Sequence, residues 1–275
     1  MNLILVRRCL NQPIKKRLYQ AVNGVIVFCA GKRLRVVHVL EYPKCGGSWV
    51  RNMLQTYFES ELYFNDRIIS PRTIVHRHSL FKKMYSNPVV LFRDPRDVLV
   101  SFYFHEKMHQ AQGDNMEIHR YFTFADSKDV KEDIANYLCV KLSKKTDPYF
   151  QYSDFIRSWL NRDGVCYTSY EAFRTDPDKE LRRVLISLGE LYDEEKALNS
   201  IEYNNFENAT LRKYGVSRKS GEEDNQRFQR KGIVGDWTNY CNERSCKILD
   251  DHFGELLIKL GYEKDRQWVN RATNK

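Results

Sequence analysis

Three short segments bring cations, glycines and hydroxyls together at spacings that suit phosphate. In the first, Pro43-Lys44-Cys45-Gly46-Gly47-Ser48-Trp49, two adjacent glycines permit a turn tight enough for successive backbone N–H groups to converge on one anion. Lys44 adds a full positive charge and Ser48 a hydroxyl donor. The order differs from the GxxxxGK[ST] nucleotide loop, because here the lysine precedes the glycines. In the second, residues 93–101 (RDPRDVLVS), Arg93 can grip a phosphate as a fork and Ser101, two turns further on, can donate to it. In the third, residues 230–237 (RKGIVGDW), Arg230 and Lys231 stand beside Gly232, which lets the main chain approach an anion closely. Each segment alone also has an ordinary reading. These are a βα turn with a surface lysine, a capped helix start with ion pairs among Arg93, Asp94, Arg96 and Asp97, and a solvated charged loop.

The surrounding pattern supplies elements to position them. Residues 35–42 (RVVHVLEY) read as a buried strand that runs into the first glycine turn. Val50, Met53, Leu54, Tyr57 and Phe58 then fall on one face of a helix. Residues 88–92 (PVVLF) predict a second strand, Asp94-Pro95 a helix start, and 97–109 its continuation. Helices are expected over 131–142, 153–160, 177–191 and 242–260, with a strand at 165–168. The polar, glycine-containing stretch 202–236 reads as mobile loops. Strands alternating with helices give an α/β fold with a mostly parallel sheet, whose ligands bind at the C-terminal strand ends.

Composition limits the alternatives. The chain has 275 residues, 42% hydrophobic and 29% charged, which suits a folded chain with a sizeable core. The net charge of +9 is concentrated at the front: residues 1–40 hold eight cations and no acid, leaving 37 basic against 36 acidic residues in the remainder. A polyanion partner for the whole protein does not follow, and no nucleic-acid recognition motif accompanies the charge. Seven scattered cysteines without a CxxC read as a reducing compartment, with neither a disulfide framework nor a structural zinc knot. No apolar run approaches the roughly 20 residues of a membrane span, and the apolar Leu3–Val6 precedes Arg7-Arg8, the reverse of a signal peptide. A cytoplasmic protein is the expectation.

Taken together, the three segments resemble the motifs of the PAPS-dependent sulfotransferase family. Residues 43–49 (PKCGGSW) resemble its PKSGTTW loop, Arg93 and Ser101 its Arg-to-Ser spacing, and residues 230–237 its RKGxxGDW motif at every fixed position. The resemblance covers about residues 35–262, so residues 1–34 are set apart as a basic N-terminal segment and 35–275 as the sulfotransferase domain. It implies a single α/β domain with a P-loop-like strand-turn-helix. It also implies PAPS as co-substrate, PAP as product, no metal, and an acceptor hydroxyl.

The implied catalytic set is His78, Lys44 and Ser101. His78 takes the place of the family's general base in residues 75–80 (VHRHSL), and His76, where the family has Lys, is the rival. An HxH pair at a strand end is otherwise an adventitious metal site. Lys44, Cys45, Gly46, Gly47 and Ser48 would face the phosphosulfate, and Arg93, Ser101, Arg230, Lys231 and Gly232 the 3′-phosphate. Trp49, Tyr170 and Phe206 would flank the adenine. The loop departs from the family at Cys45 (usually Ser) and at Gly47-Ser48 (usually Thr-Thr). Cys45 keeps a backbone N–H, and Gly47 loses a side-chain contact.

The acceptor pocket is expected in loops 57–73, 110–128 and 143–152, with Tyr57, Phe58, Tyr63, Phe64, Tyr121, Phe122 and Phe124 as aromatic candidates. A small-molecule alcohol or phenol comes first, and a glycan, lipid head group or tyrosyl peptide next. Two other classes compete. His105-Glu106-Lys107-Met108-His109 is a literal HExxH, the signature of zinc peptidases, though Gln112 and Asn115 break the metzincin extension. The basic front, interleaved with Leu3–Val6 and Val25–Ala30, offers a weak peripheral contact with an anionic membrane, against the default of a solvated basic face.

Overall fold

A computed structural model describes residues 12–60, 63, 67–114, 116–124, 129–144, 146 and 150–273. Leu3–Val6 and Phe64 lie outside them.

Four parallel strands form the sheet: β1 (Val37–Glu41), β2 (Ile74–Arg77), β3 (Pro88–Phe92) and β4 (Cys166–Ser169), in the order β2-β1-β3-β4. Every residue of β1 is buried, as a central strand covered on both faces requires. Val37 pairs with Ile74 on one side, and His38 with Pro88 on the other. From β1 the chain crosses outward to β2, then back past β1 to β3. The C-terminal ends of β1 and β3 therefore flank a topological switch point, where crevices open in α/β sheets.

The segments that leave these strand ends become the site. After β1 the chain turns at Lys44 (φ 75°) and Gly46 (φ 97°) into helix α2 (Gly47–Tyr57). For that label, α1 is Gln12–Ala30, ahead of the sheet. Val50, Met53 and Leu54 are fully buried, each contributing about 1.5–3 kcal/mol of apolar transfer that holds α2 on the sheet. After β3, Asp94 caps α3 (Pro95–Ala111) by accepting the Arg96 N–H at 2.9 Å, with Pro95 opening the helix. Helices α4 (Val130–Ser143) and α5 (Tyr152–Trp159) lead to β4, which passes directly into α6 (Tyr170–Thr175). There follow α7 (Pro177–Ser187), α8 (Glu194–Tyr203), α9 (Phe206–Tyr214), α10 (Trp237–Tyr240), α11 (Glu243–Lys259) and α12 (Trp268–Thr273).

Two expectations need correction. Residues 202–236 are not loop throughout, because α8 runs to Tyr203 and α9 occupies 206–214. The Asn205 side chain caps α9 by accepting the Asn208 N–H at 2.7 Å, and Gly215 (φ 73°) ends it, so the polar composition concealed a capped surface helix. The helix expected over 177–191 stops at Ser187, where Gly189 (φ 74°) turns the chain away.

Helix α1 lies over the β2 side. Val27, Val36, Ile69 and Val75 form a small second core there. The buried Asn23 donates to Tyr63 Oη (2.5 Å) and Arg67 O (2.8 Å) and accepts from Ile69 N (2.9 Å). Leu18, Val22, Val25 and Phe28 remain exposed on its outer face. No described helix is long and apolar enough to cross a membrane.

Candidate active site

A cavity of about 410 Å³ opens at the switch point, and all three motifs line it. Lys44, Gly46, Ser48 and Trp49 come from the first, Arg93 and Ser101 from the second, and Arg230, Lys231 and Gly232 from the third. Tyr170 and Phe206 complete the predicted set at its wall.

Direct contacts tie the motifs together. Arg93 donates from Nη1 to the Lys44 carbonyl (3.0 Å) and from Nη2 to the Ile233 carbonyl (3.4 Å). Its guanidinium lies 4.3 Å from the centre of the Tyr170 ring. Its Nε is buried with no hydrogen-bond partner among the described residues. Asp97, read from sequence only as a local ion-pair partner, binds the third motif to the second by accepting the N–H groups of Gly235 (2.8 Å) and Trp237 (2.9 Å). Arg96 holds Asp94 at 2.7 Å and lies 4.0 Å from the Trp237 ring, anchoring the far end of the same motif.

Two glycines are set by close approach. Gly46 has a positive φ, and a Cβ there would meet the Tyr170 ring at 2.8 Å. A Cβ on Gly232 (φ 69°) would meet the Phe206 ring at 2.6 Å. Trp49 packs edge-on to Tyr170, with ring centres 5.8 Å apart, and donates its Nε1–H to Asn204 O at 2.8 Å. All three flat side chains line the cavity.

The electrostatics are concentrated here. Loss of solvent, followed by the nearby Arg93, lowers the Lys44 pKa to about 7. Its Nζ lies 3.8 Å from the centre of the Phe228 ring. Arg230 and Lys231 already have partners: Arg230 pairs with Asp236 and with Glu223 (2.7 Å), and Lys231 with Asp236 (2.8 Å).

The first loop differs in detail from the expectation. The Cys45 side chain is fully buried beneath the loop, its N–H donates to Tyr42 O at 3.2 Å, and burial pushes its thiol pKa up. Neither group faces the cavity, because the turn needs that N–H for its own closure. Gly47 also lies outside the lining, and its N–H donates to the Glu41 carboxylate. Ser48, in the first turn of α2, keeps an N–H that the helix itself cannot satisfy.

His78 and His76 sit beside the cavity rather than in its wall, next to Glu41, which lines it. His78 Nδ1 is 3.2 Å from the Glu41 carbonyl, which can only accept, so Nδ1–H donates and Nε2 carries the lone pair of the neutral ring. Burial lowers the His78 pKa, more than Glu41 raises it. His76 donates from Nε2 to Glu41 Oε1 at 2.8 Å.

The HExxH segment does not form a peptidase centre. Glu106 is buried between Lys141 Nζ (2.8 Å) and Tyr137 Oη (2.5 Å), which removes it as a base. Among the described residues, the one cluster of His, Cys, Asp and Glu with ligand atoms within 4.8 Å of one another is Glu41, His76 and His78. His105 does reach the site's neighbourhood: its ring packs on Phe228 at 5.5 Å, and burial with nearby Lys44 lowers its pKa to about 3.

Of the acceptor candidates, Tyr57, Phe122 and Phe124 pack in the main core and Tyr63 in the small one, away from the cavity lining. Sequence reasoning missed Glu41, Lys213 and Phe228, which all line the cavity. The acid ending a buried, mostly apolar strand was the available signal for Glu41; Lys213 and Phe228 lie in the stretch read as loop.

The comparisons with known proteins agree with this geometry. The family model described as "Sulfotransferase domain" matches residues 66–261. The chain is 24% identical to human Sulfotransferase 2A1, with 82% of this chain and 86% of that protein covered. It is 23% identical to mouse Sulfotransferase 6B1, with 89% of each covered. Among solved structures, mouse sulfotransferase SULT7A1 complexed with PAP aligns with a TM-score of 0.58 at 18% identity, over 86% of this chain and 90% of that one. Retinol dehydratase in a complex with retinol and PAP aligns with a TM-score of 0.56 at 18% identity, over 88% and 86%.

Proposed function

The chain belongs to the sulfotransferase family, and on that premise we propose that its donor is PAPS, its nucleotide product PAP, and its acceptor a hydroxyl. The observation that carries this reading is the single cavity in which Lys44, Arg93 and Arg230 meet from three separate segments. The residues suit such a nucleotide. Arg93 has a buried Nε without a partner among the described residues, and Gly46 and Gly232 hold two aromatic rings along the loops. PAPS would supply the activated sulfuryl group.

The roles are those that the family resemblance implies, and the shared cavity supports them. Arg93 and Ser101, joined by Arg230, Lys231 and Gly232, hold the 3′-phosphate. Trp49, Tyr170 and Phe206 flank the adenine. Lys44 and Ser48, with the first-turn N–H of α2, stabilise charge on the departing phosphate oxygens, a fixed electrostatic contribution. His78, neutral with its lone pair on Nε2, takes the acceptor proton. Residues 35–275 form the catalytic unit.

For the acceptor, a small-molecule alcohol or phenol is the first reading. Phe228, which lines the cavity with its ring centre 3.8 Å from Lys44 Nζ, offers an apolar surface there, which supports it. A peripheral membrane contact is a secondary reading, favoured by the exposed Leu18, Val22, Val25 and Phe28 on an acid-free helix. Salt-sensitive sedimentation with anionic vesicles, lost on deleting residues 1–34, would support it; no sedimentation at low salt would end it.

The test of function is the His78→Ala protein. It should bind PAP like the wild type by calorimetry and lose turnover by about 100-fold or more. Undiminished turnover excludes His78 as the base.

A further inference from the structure

Gly47 raises a question that its backbone does not answer. It is absent from the positive-φ glycines, so any residue could adopt its conformation. Space explains it. A Cβ at 47 would lie 2.3 Å from Glu41 Cδ and 2.6 Å from Oε1, in the middle of the carboxylate. Glu41 is itself buried (3% exposed) and held by Gly47 N–H and His76, so displacing the carboxylate breaks both bonds. The two positions form a matched pair: the glycine makes room, and the acid fills it.

A buried carboxylate needs partners, and those of Glu41 belong to the site. Oε2 accepts the Gly47 N–H, and Oε1 accepts His76 Nε2–H at 2.8 Å. The Glu41 main-chain carbonyl accepts His78 Nδ1–H at 3.2 Å. One residue therefore orients both imidazoles, whose rings pack edge to face at 5.0 Å. It does so from the end of a fully buried interior strand.

We propose that Glu41 is a positioning residue for sulfuryl transfer: its carboxylate stands in the space left by Gly47 and holds His76 against the phosphate-facing turn, while its main-chain carbonyl holds His78. This rests on the functional reading above. Glu41 acts through the histidines. Its side chain fixes the tautomer and orientation of His76, and its carbonyl leaves Nε2 of His78 as the nitrogen that takes the acceptor proton. The negative charge also favours the imidazolium formed at His78 when that proton arrives, in the direction Glu41 already shifts that group. The same charge lines a cavity built for anions, beside Lys44 and Arg51. It therefore works against nucleotide affinity, and an interaction that weakens binding while aiding turnover is a signature that simple structural bracing lacks.

Two arms test this on the full chain. In the first, Glu41→Gln keeps the shape and removes the charge. Turnover at saturating donor should fall at least ~10-fold, while PAP affinity by calorimetry stays level or tightens up to ~10-fold. A parallel loss of affinity and turnover would reduce Glu41 to a brace and overturn the proposal. In the second, Gly47→Ala should lower the melting temperature, and Glu41→Ala added to it should restore most of the loss. A Gly47→Ala protein that melts like the wild type, or that the second change does not rescue, overturns the shared-space argument. This arm needs no nucleotide, so its failure leaves the donor assignment standing. Wild-type protein that binds no PAP refutes that assignment and the role of Glu41 with it.

Discussion

PAP binding should draw a proton from solution, and Lys44 should be the group that receives it. In the free protein its pKa lies at about 7, because burial and Arg93 disfavour the ammonium. A phosphate placed beside it adds a negative charge that offsets both effects and returns the group toward its ordinary value of about 10.4. At pH 8 the free lysine is about one-tenth protonated and the bound one almost fully, so complex formation takes up about 0.9 protons. At pH 6 the lysine is already charged, and its share falls to about 0.1. The phosphates of PAP are ionised at pH 8, their second pKa being about 6, so the uptake there belongs to the protein. Linkage fixes the sign: affinity falls as pH rises, by up to ~10-fold per unit between about pH 7.5 and 9. Calorimetry in two buffers of different ionisation enthalpy measures the uptake directly, and Lys44→Met should abolish it while Arg93 and Arg230 keep measurable binding. Uptake below about 0.3 at pH 8 in the wild type, or equal uptake in Lys44→Met, would refute the assignment.

Two further outcomes follow from the charge network. Glu223 holds Arg230 at 2.7 Å and accepts from Tyr240 at 2.7 Å, competing with an incoming phosphate. Glu223→Gln should therefore tighten PAP binding about 3- to 10-fold and steepen its salt dependence, and weaker binding would show that Glu223 orients the cation instead. Asp97→Asn can accept only one of the two N–H groups that Asp97 now holds, at Gly235 and Trp237. It should cost about 2 kcal/mol, a fall of about 4–8 °C in the melting temperature, together with weaker PAP binding. An unchanged melting temperature would mean that the third motif does not depend on this tether.

Three of the four strands and the phosphate-facing cations and glycines were legible from local chemistry, whereas the aromatic lining at Trp49, Tyr170 and Phe206 was reached only through the family resemblance. The valine-rich stretch 35–42 reads as a strand, which the structure forms over Val37–Glu41, and the Lys-Cys-Gly-Gly that follows reads as its turn. The motif at 93–101 declares its helix through Asp94-Pro95. What the sequence concealed depended on distant partners. Arg230 and Lys231 look like free cations in a polar loop, yet Asp236 and Glu223 already neutralise them. Cys45 reads as a phosphate-facing donor, yet it closes its own turn and points into the core. HExxH reads as a metal helix, yet Glu106 is committed to Lys141 on α4, a pairing invisible until α3 and α4 pack. Helix α9 was lost to its polarity, because a surface helix held by an asparagine cap and a terminal glycine carries almost no apolar pattern.

The most direct test is a crystal structure of the full chain with PAP. The nucleotide should lie in the cavity between β1 and β3, with the 3′-phosphate within hydrogen-bond reach of Arg93 Nε and Ser101 Oγ and the 5′-phosphate beside Lys44 and Ser48. PAP bound elsewhere, or an Arg93 Nε that still lacks a partner in the complex, would contradict this assignment.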